Sequence, residues 1–224
     1  MKKAHRNALF IVVIVVMFYL TMCSTYYAAE PIHATVIDAE TGQPIEGVVV
    51  VAHWALEGGL ESGNNMGQAK VLESISDSNG RFFFPAWGPR WVAGGILSNT
   101  RLKDQDPELL IFKSGYKYLQ HRNNRLWEEI NRKGPITRTS DWNGKTIKME
   151  RFSGTLKEYA EHLRKMNEDL DSATASHNAE CEWRNLPSTI SVLGRQRMIF
   201  VTANVDGSSF FDGLISNEEY YLKK

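Results

Sequence analysis

The chain of 224 residues carries 26 Lys plus Arg against 26 Asp plus Glu, with 42% hydrophobic and 11% aromatic residues. Balanced charge supplies no net field to gather a polyanion, which argues against a nucleic-acid partner. The apolar content excludes a disordered chain, and the length suits one domain with an extension rather than two full domains.

The chain opens with Lys2, Lys3 and Arg6 ahead of an uncharged run over 8–20. A positive start followed by an apolar run is the pattern of an export signal, so the body is predicted to lie in the periplasm or cell envelope. The uncharged stretch continues to Ala29, long enough to span a bilayer. Residues 1–29 therefore read as a cleaved signal, as a leader lipidated at Cys23, or as a retained anchor attached to the membrane through 8–29. Tyr27 is bulky for a cleavage position, and Met22 stands where a lipidation box has a small residue. Cys181 is the other cysteine, which leaves the body without an internal disulfide. Beside Trp183 it reads as a small buried hydrophobe.

From residue 30 the grammar is that of strands. β-Branched alternation predicts a strand over 33–37, and Thr41, Gly42 and Pro44 supply a reversal. The return strand, 46–54, holds four consecutive valines, so it is apolar on both sides: Val48 and Val50 face one way, Val49 and Val51 the other. Further strands are predicted at 71–75, 81–86, 109–113 and 146–151, with a weaker one at 91–97. Asp77-Ser78-Asn79-Gly80 and Asn143-Gly144 carry hairpin signals. About seven short strands at this spacing predict a β-sandwich.

Val36, Asp38, Thr41-Gly42, Pro44-Ile45, Gly47-Val48 and Val50, then Asp77, Gly80, Phe82, Phe84 and Gly115-Tyr116, resemble the carboxypeptidase regulatory-like domain family. The resemblance implies a mainly β fold, a seven-stranded transthyretin-like (prealbumin-like) sandwich over residues 30–152, without catalytic residues of its own. Ser76 replaces the usual Thr, and 118–140 is an insertion that leaves the strand order after Tyr116 open.

Residues 153–224 form a helical extension. Leu156, Tyr159, Ala160, Leu163, Met166 and Leu170 recur at helical spacing, and Thr155 with Glu158 fits a capping box. A second helix is expected from Pro187, with Leu186, Ile190 and Leu193 inward and Gly194 weakening it. Periodicity over 198–205 fits either helix or strand. Something must cover Val49 and Val51, and the first helix is the long unassigned apolar stripe, so it is predicted to lie on that face with Leu156, Tyr159, Leu163 and Met166 inward.

No catalytic, cofactor or metal site emerges. Tyr116, Tyr118 and His121 lie close in sequence, and intradiol dioxygenases bind ferric iron through two Tyr and two His on a related core, but the paired histidines are missing here. Asp77 to Gly80 lacks the later Glu of a calcium loop. Gly144-Lys145-Thr146 lacks the first Gly of a phosphate loop, and adjacent Glu128 and Glu129 cannot flank one bond. The carboxyl end, Tyr220 to Lys224, departs from the Tyr-Arg-Gly-Ser tail of the related urate-pathway hydrolases. Trp87, Trp91 and Trp142 fall at strand ends or loops, where exposed rings could stack on a sugar or peptide. The expected role is therefore a non-catalytic structural or interaction module of the cell envelope, with an envelope protein or a glycan such as peptidoglycan as partner.

Overall fold

The computed structural model describes residues 7, 10–13, 24–58, 63–93, 100–124, 135–174 and 182–205. Among residues 24–205 of these, eleven strands precede two helices. They are β1 (Ser24–Ala29), β2 (Ile32–Asp38), β3 (Val49–Gly58), β4 (Asn64–Ile75), β5 (Arg81–Phe84), β6 (Trp87–Ala93), β7 (Arg101–Leu102), β8 (Glu108–Phe112), β9 (Leu119–His121), β10 (Ile136–Arg138) and β11 (Thr146–Met149). Helix α1 (Leu156–Thr174) and helix α2 (Pro187–Thr202) follow, joined by a 3-10 turn at Glu182–Asn185.

Two three-stranded sheets, β10-β1-β6 and β11-β2-β5, share their chain segments. β1 runs into β2 across Glu30-Pro31, and β5 into β6 across Pro85-Ala86, so the two make one bent layer. Proline lacks an N–H and breaks the ladder where the layer bends. Opposite lies a five-stranded sheet, β4-β3-β8-β9 with β7 also on β3. Tyr27, Ala29, Ile32, Ala34 and Val36 of the bent layer meet Val48, Val50, Ala52, Trp54, Leu109 and Ile111 in one buried core.

The second apolar face of β3 is covered by the helices. Val51, Val71, Leu110 and Phe112 form a separate core with Tyr159, Leu163, Met166 and Leu170 of α1 and Ile190, Leu193 and Phe200 of α2. The extension thus shares a core with the sheet. Leu156 differs from expectation and is 43% exposed. It opens the helix, and at that end Phe152 packs 4.8 Å from Tyr159 in its place.

The capping box forms as the spacing predicts. Glu158 Oε2 accepts from Thr155 N–H at 2.7 Å, and Thr155 Oγ1 accepts from Glu158 N–H at 3.2 Å. Helix α2 has no such cap of its own, since Leu186 precedes Pro187 without a side-chain bond. Glu73 of β4 does the work instead, accepting from the N–H groups of Ser188 at 2.9 Å and Thr189 at 2.5 Å. A carboxylate at a helix amino end satisfies its orphan donors and its dipole, so the sheet itself starts this helix. Gly194 does not end it, and 198–202 is helical.

Three expectations change. Ser24–Ala29, assigned with the leader, is a core strand with Tyr27 and Ala29 buried. Eleven strands stand where about seven were expected, because β1 and the short β7 were not foreseen and the insertion contributes β9 and β10. Asn143-Gly144 makes no hairpin: Asn143 Oδ1 accepts from His33 N–H at 2.9 Å and Gly144 N–H donates to His33 O at 2.7 Å. The turn extends a parallel ladder, with β11 beside β2 and β10 beside β1. Among the described residues no helix is long and apolar enough to cross a membrane. Cys23, Cys181, Glu128, Glu129, most of 8–20 and the carboxyl end lie outside the described residues.

Candidate functional site

The residues that carry the family resemblance are joints of the fold. Asp38 Oδ1 accepts from the N–H groups of Glu40 and Thr41, both at 3.0 Å, while Oδ2 accepts from Tyr116 OH at 2.8 Å and Arg151 Nε at 2.9 Å. These bonds, led by the one from Thr41, hold the Asp38 carboxyl well below the usual carboxylate range. Asp77 Oδ1 accepts from Asn79 and Arg81 and closes its turn. Gly80 has φ of 71° there, and a Cβ would lie 2.3 Å from Val36 O, so only glycine fits.

Tyr116, Tyr118 and His121 do not converge. Tyr116 is committed to Asp38, Tyr118 OH donates to Asp169 at 3.0 Å, and His121 stacks at 3.8 Å on Trp142. Burial, then Asp169, raises the Tyr118 phenol, and burial lowers the His121 imidazole. Among the described residues no group of three His, Cys, Asp or Glu is placed to hold a metal ion.

The three tryptophans also separate. Half-buried Trp87 packs edge-on against Trp54 at 5.3 Å in the core. Trp142 lies against His121 and donates Nε1–H to Arg122 O at 3.2 Å, which pins the end of β9. Trp91 alone stands out, 55% exposed on β6 and paired across the strands with Tyr26 at 52%.

Tyr26 and Trp91 point toward an outer surface that sequence reasoning did not assemble. Since Tyr27, Ala29, Ile32, Ala34 and Val36 all enter one core, Tyr26, His33, Thr35 and Ile37 lie on the opposite side of the bent layer. On that side His33 stacks on Phe83 at 4.5 Å, and Phe83 is 47% exposed. A groove of about 590 Å³ runs here between His33, Phe83, Arg81, Lys145 and Thr146. Its one carboxylate among the described residues, Asp77, already caps its own turn. Lys148 of β11 is exposed beside Ile37. The face is therefore aromatic and cationic. Its β5 edge is closed to strand addition, because Arg81 N–H and Phe83 N–H donate to Asp77 and Ser74 side chains. Gly88 lets β6 approach β1 closely enough to place Trp91 there: at φ of 99°, a Cβ would lie 2.6 Å from Tyr27 O. Tyr26 fell within the uncharged run that reads as leader, and only the strand β1 and the bend bring it beside Trp91.

No protein-family model matches the chain, and no curated protein matches it. Among solved structures, 3-chlorocatechol 1,2-dioxygenase from Rhodococcus opacus is similar to 58% of this chain and 62% of that one, at 12% identity and a TM-score of 0.29. The matched part thus spans less than two thirds of the dioxygenase chain, and a likeness this slight carries no argument about fold or activity.

Proposed function

We propose that the chain is a non-catalytic, exported module of the cell envelope that holds an anionic glycan strand against the face of its bent layer that no described element covers. One observation carries this reading: exposed rings at Tyr26, Trp91 and Phe83 share a face with Arg81, Lys145 and Lys148. Flat rings stack on sugar rings, and fixed cations favour carboxylates on the strand. The joints at Asp38, Gly80 and Tyr116 support a transthyretin-like sandwich of the carboxypeptidase regulatory-like family, since these residues of the resemblance each have a local structural task. The leader pattern supports export, and β1 implies that any cleavage falls before Ser24.

Cosedimentation of the purified body with peptidoglycan sacculi tests the reading. Binding should fall about tenfold or more in a Phe83→Ala, Trp91→Ala double variant and weaken with salt. Failure to bind at low salt overturns the glycan reading. A photo-crosslinker at position 91 that then captures an envelope protein would make the same face a protein interface. A reporter active only after export, fused after Lys224, should be active; an intact but inactive fusion refutes the compartment.

A further inference from the structure

The five-stranded sheet ends in a polar cleft that the glycan reading does not use. Its volume is about 320 Å³, and Glu57, Lys103, Asp104, Asp106, Glu108 and Arg122 line it. Three of these four carboxylates already have cations. Arg101 lies 2.7 Å from Glu57 and 3.4 Å from Asp104. Glu108 accepts from Arg122 Nε at 2.7 Å and from Gln120, with His53 Nε2 at 3.7 Å.

Asp106 differs. It is only 3% exposed, yet Oδ2 is buried with no hydrogen-bond partner, while its carboxyl accepts from the Ala55 backbone. Its position is fixed, since Asn123 Nδ2 donates both to Asp106 O and to Thr139 O at 2.8 Å. A buried acceptor without a donor is rare in folded proteins and calls for an explanation.

We propose that this cleft binds a small aliphatic amine, whose ammonium group donates to Oδ2 of Asp106. With the other three carboxylates already paired, Asp106 is the acceptor left for a ligand, and a charge-assisted bond to a desolvated carboxylate is the strong kind. The absence of a three-ligand cluster among the described residues favours an amine over a metal ion. The volume sits at the small end of the range for small-molecule pockets. Facing Asp106 are His53 from β3, Lys103 after β7, Arg138 from β10 and Glu108 from β8. Burial pushes the Asp106 carboxyl up to about 7, against the pull of His53, Lys103 and Arg138. An ammonium that holds it ionised must therefore displace its proton.

Calorimetric titration of the full chain with n-butylamine tests this, with n-butanol as neutral isostere and calcium chloride as competing cation. Butylamine should bind saturably and butanol should not. Asp106→Asn, which keeps the Ala55 bond, should weaken binding about tenfold or more. In buffers of different ionisation enthalpy, the unmodified chain should release about 0.5 proton per amine at pH 7, falling toward zero by about pH 8.5. Proton release requires no variant, so it stands even if Asp106→Asn unfolds. No saturable amine binding, equal affinity in a folded Asp106→Asn, absence of proton release, or calcium displacing the amine would each overturn the proposal. None of these outcomes bears on sacculus binding, which uses the other face.

Discussion

The two sheets have opposite fates on their outer sides. The five-stranded sheet turns Val51, Val71, Leu110 and Phe112 outward and is roofed by two helices. The bent layer turns His33, Thr35, Arg81, Phe83 and Lys148 outward, and these stay partly or fully exposed. The same alternation operates in both. What differs is whether the outward positions are apolar enough to require cover, and the contrast separates residues that hold the protein together from residues free to meet a partner.

The largest expected effect comes from removing the roof. Truncation after Phe152 exposes four large side chains on the sheet and loses their helical partners. Each buried side chain is worth about 1.5–3 kcal/mol, so exposing the four costs about 6–12 kcal/mol, comparable with the roughly 5–15 kcal/mol that keeps a domain folded. The product should be insoluble or molten. A soluble fragment that melts cooperatively near the full-length temperature would show that the roof is dispensable. Smaller, and confined to one residue, Leu163→Ala should cost about 2–5 kcal/mol in urea unfolding, because Leu163 is fully buried between α1 and the sheet. A cost under about 1 kcal/mol would mean that the helix packs loosely.

Charge sharpens the contrast, because the roofed sheet buries carboxyls at its end. In Glu108, burial acts to raise the carboxyl, but contacts with His53, Arg122 and Gln120 outweigh it and hold the group at about 2. Its stabilisation is present above the ordinary value near 4.5 and is lost as pH falls toward about 2. Asp106 has the reverse sign. The unfolded chain loses that proton near 3.8 and the folded chain near about 7, so stability declines as pH rises between them. Relative to Asp106→Asn, the native chain should lose on the order of 2–4 kcal/mol between about pH 4 and 7.5. Urea midpoints across that range would expose it, and parallel curves for the two proteins would contradict it. The smallest effect belongs to the bare face: Phe83→Ala and Trp91→Ala should each change stability by only about 0.5 kcal/mol, as surface substitutions do. A cost comparable to Leu163→Ala would place those rings in the folded core instead of on a binding face.

Much of this contrast was legible along the chain. Four valines in a row announced a strand apolar on both sides, and one helix with a capping box carried the stripe to cover it. Leu156 could not be read, because whether the first residue of a helix reaches the sheet depends on where the chain enters. The bare face was illegible for a related reason: Tyr26 lay inside an uncharged run that resembled a leader, and it pairs with Trp91 only after a separation of sixty-five positions closes. Trp142 and Trp87 carried the same composition signal as Trp91, yet one supports His121 and the other Trp54.

Periodicity, turn residues and capping are local, since they depend on neighbours two to four positions apart. They were enough to determine a mainly β body, the turn at Asp77, and the helix beginning at Thr155. Where Pro31 and Pro85 bend the first layer, which strand the Asn143 turn continues, and which carboxyl of β4 starts α2 depend on contacts between distant segments. So does the unpaired oxygen of Asp106, because an acid two residues from Glu108 looks the same in sequence whether its partner is an arginine or nothing at all. Tertiary packing alone decides which groups lose their water, and with it which of them hold the fold.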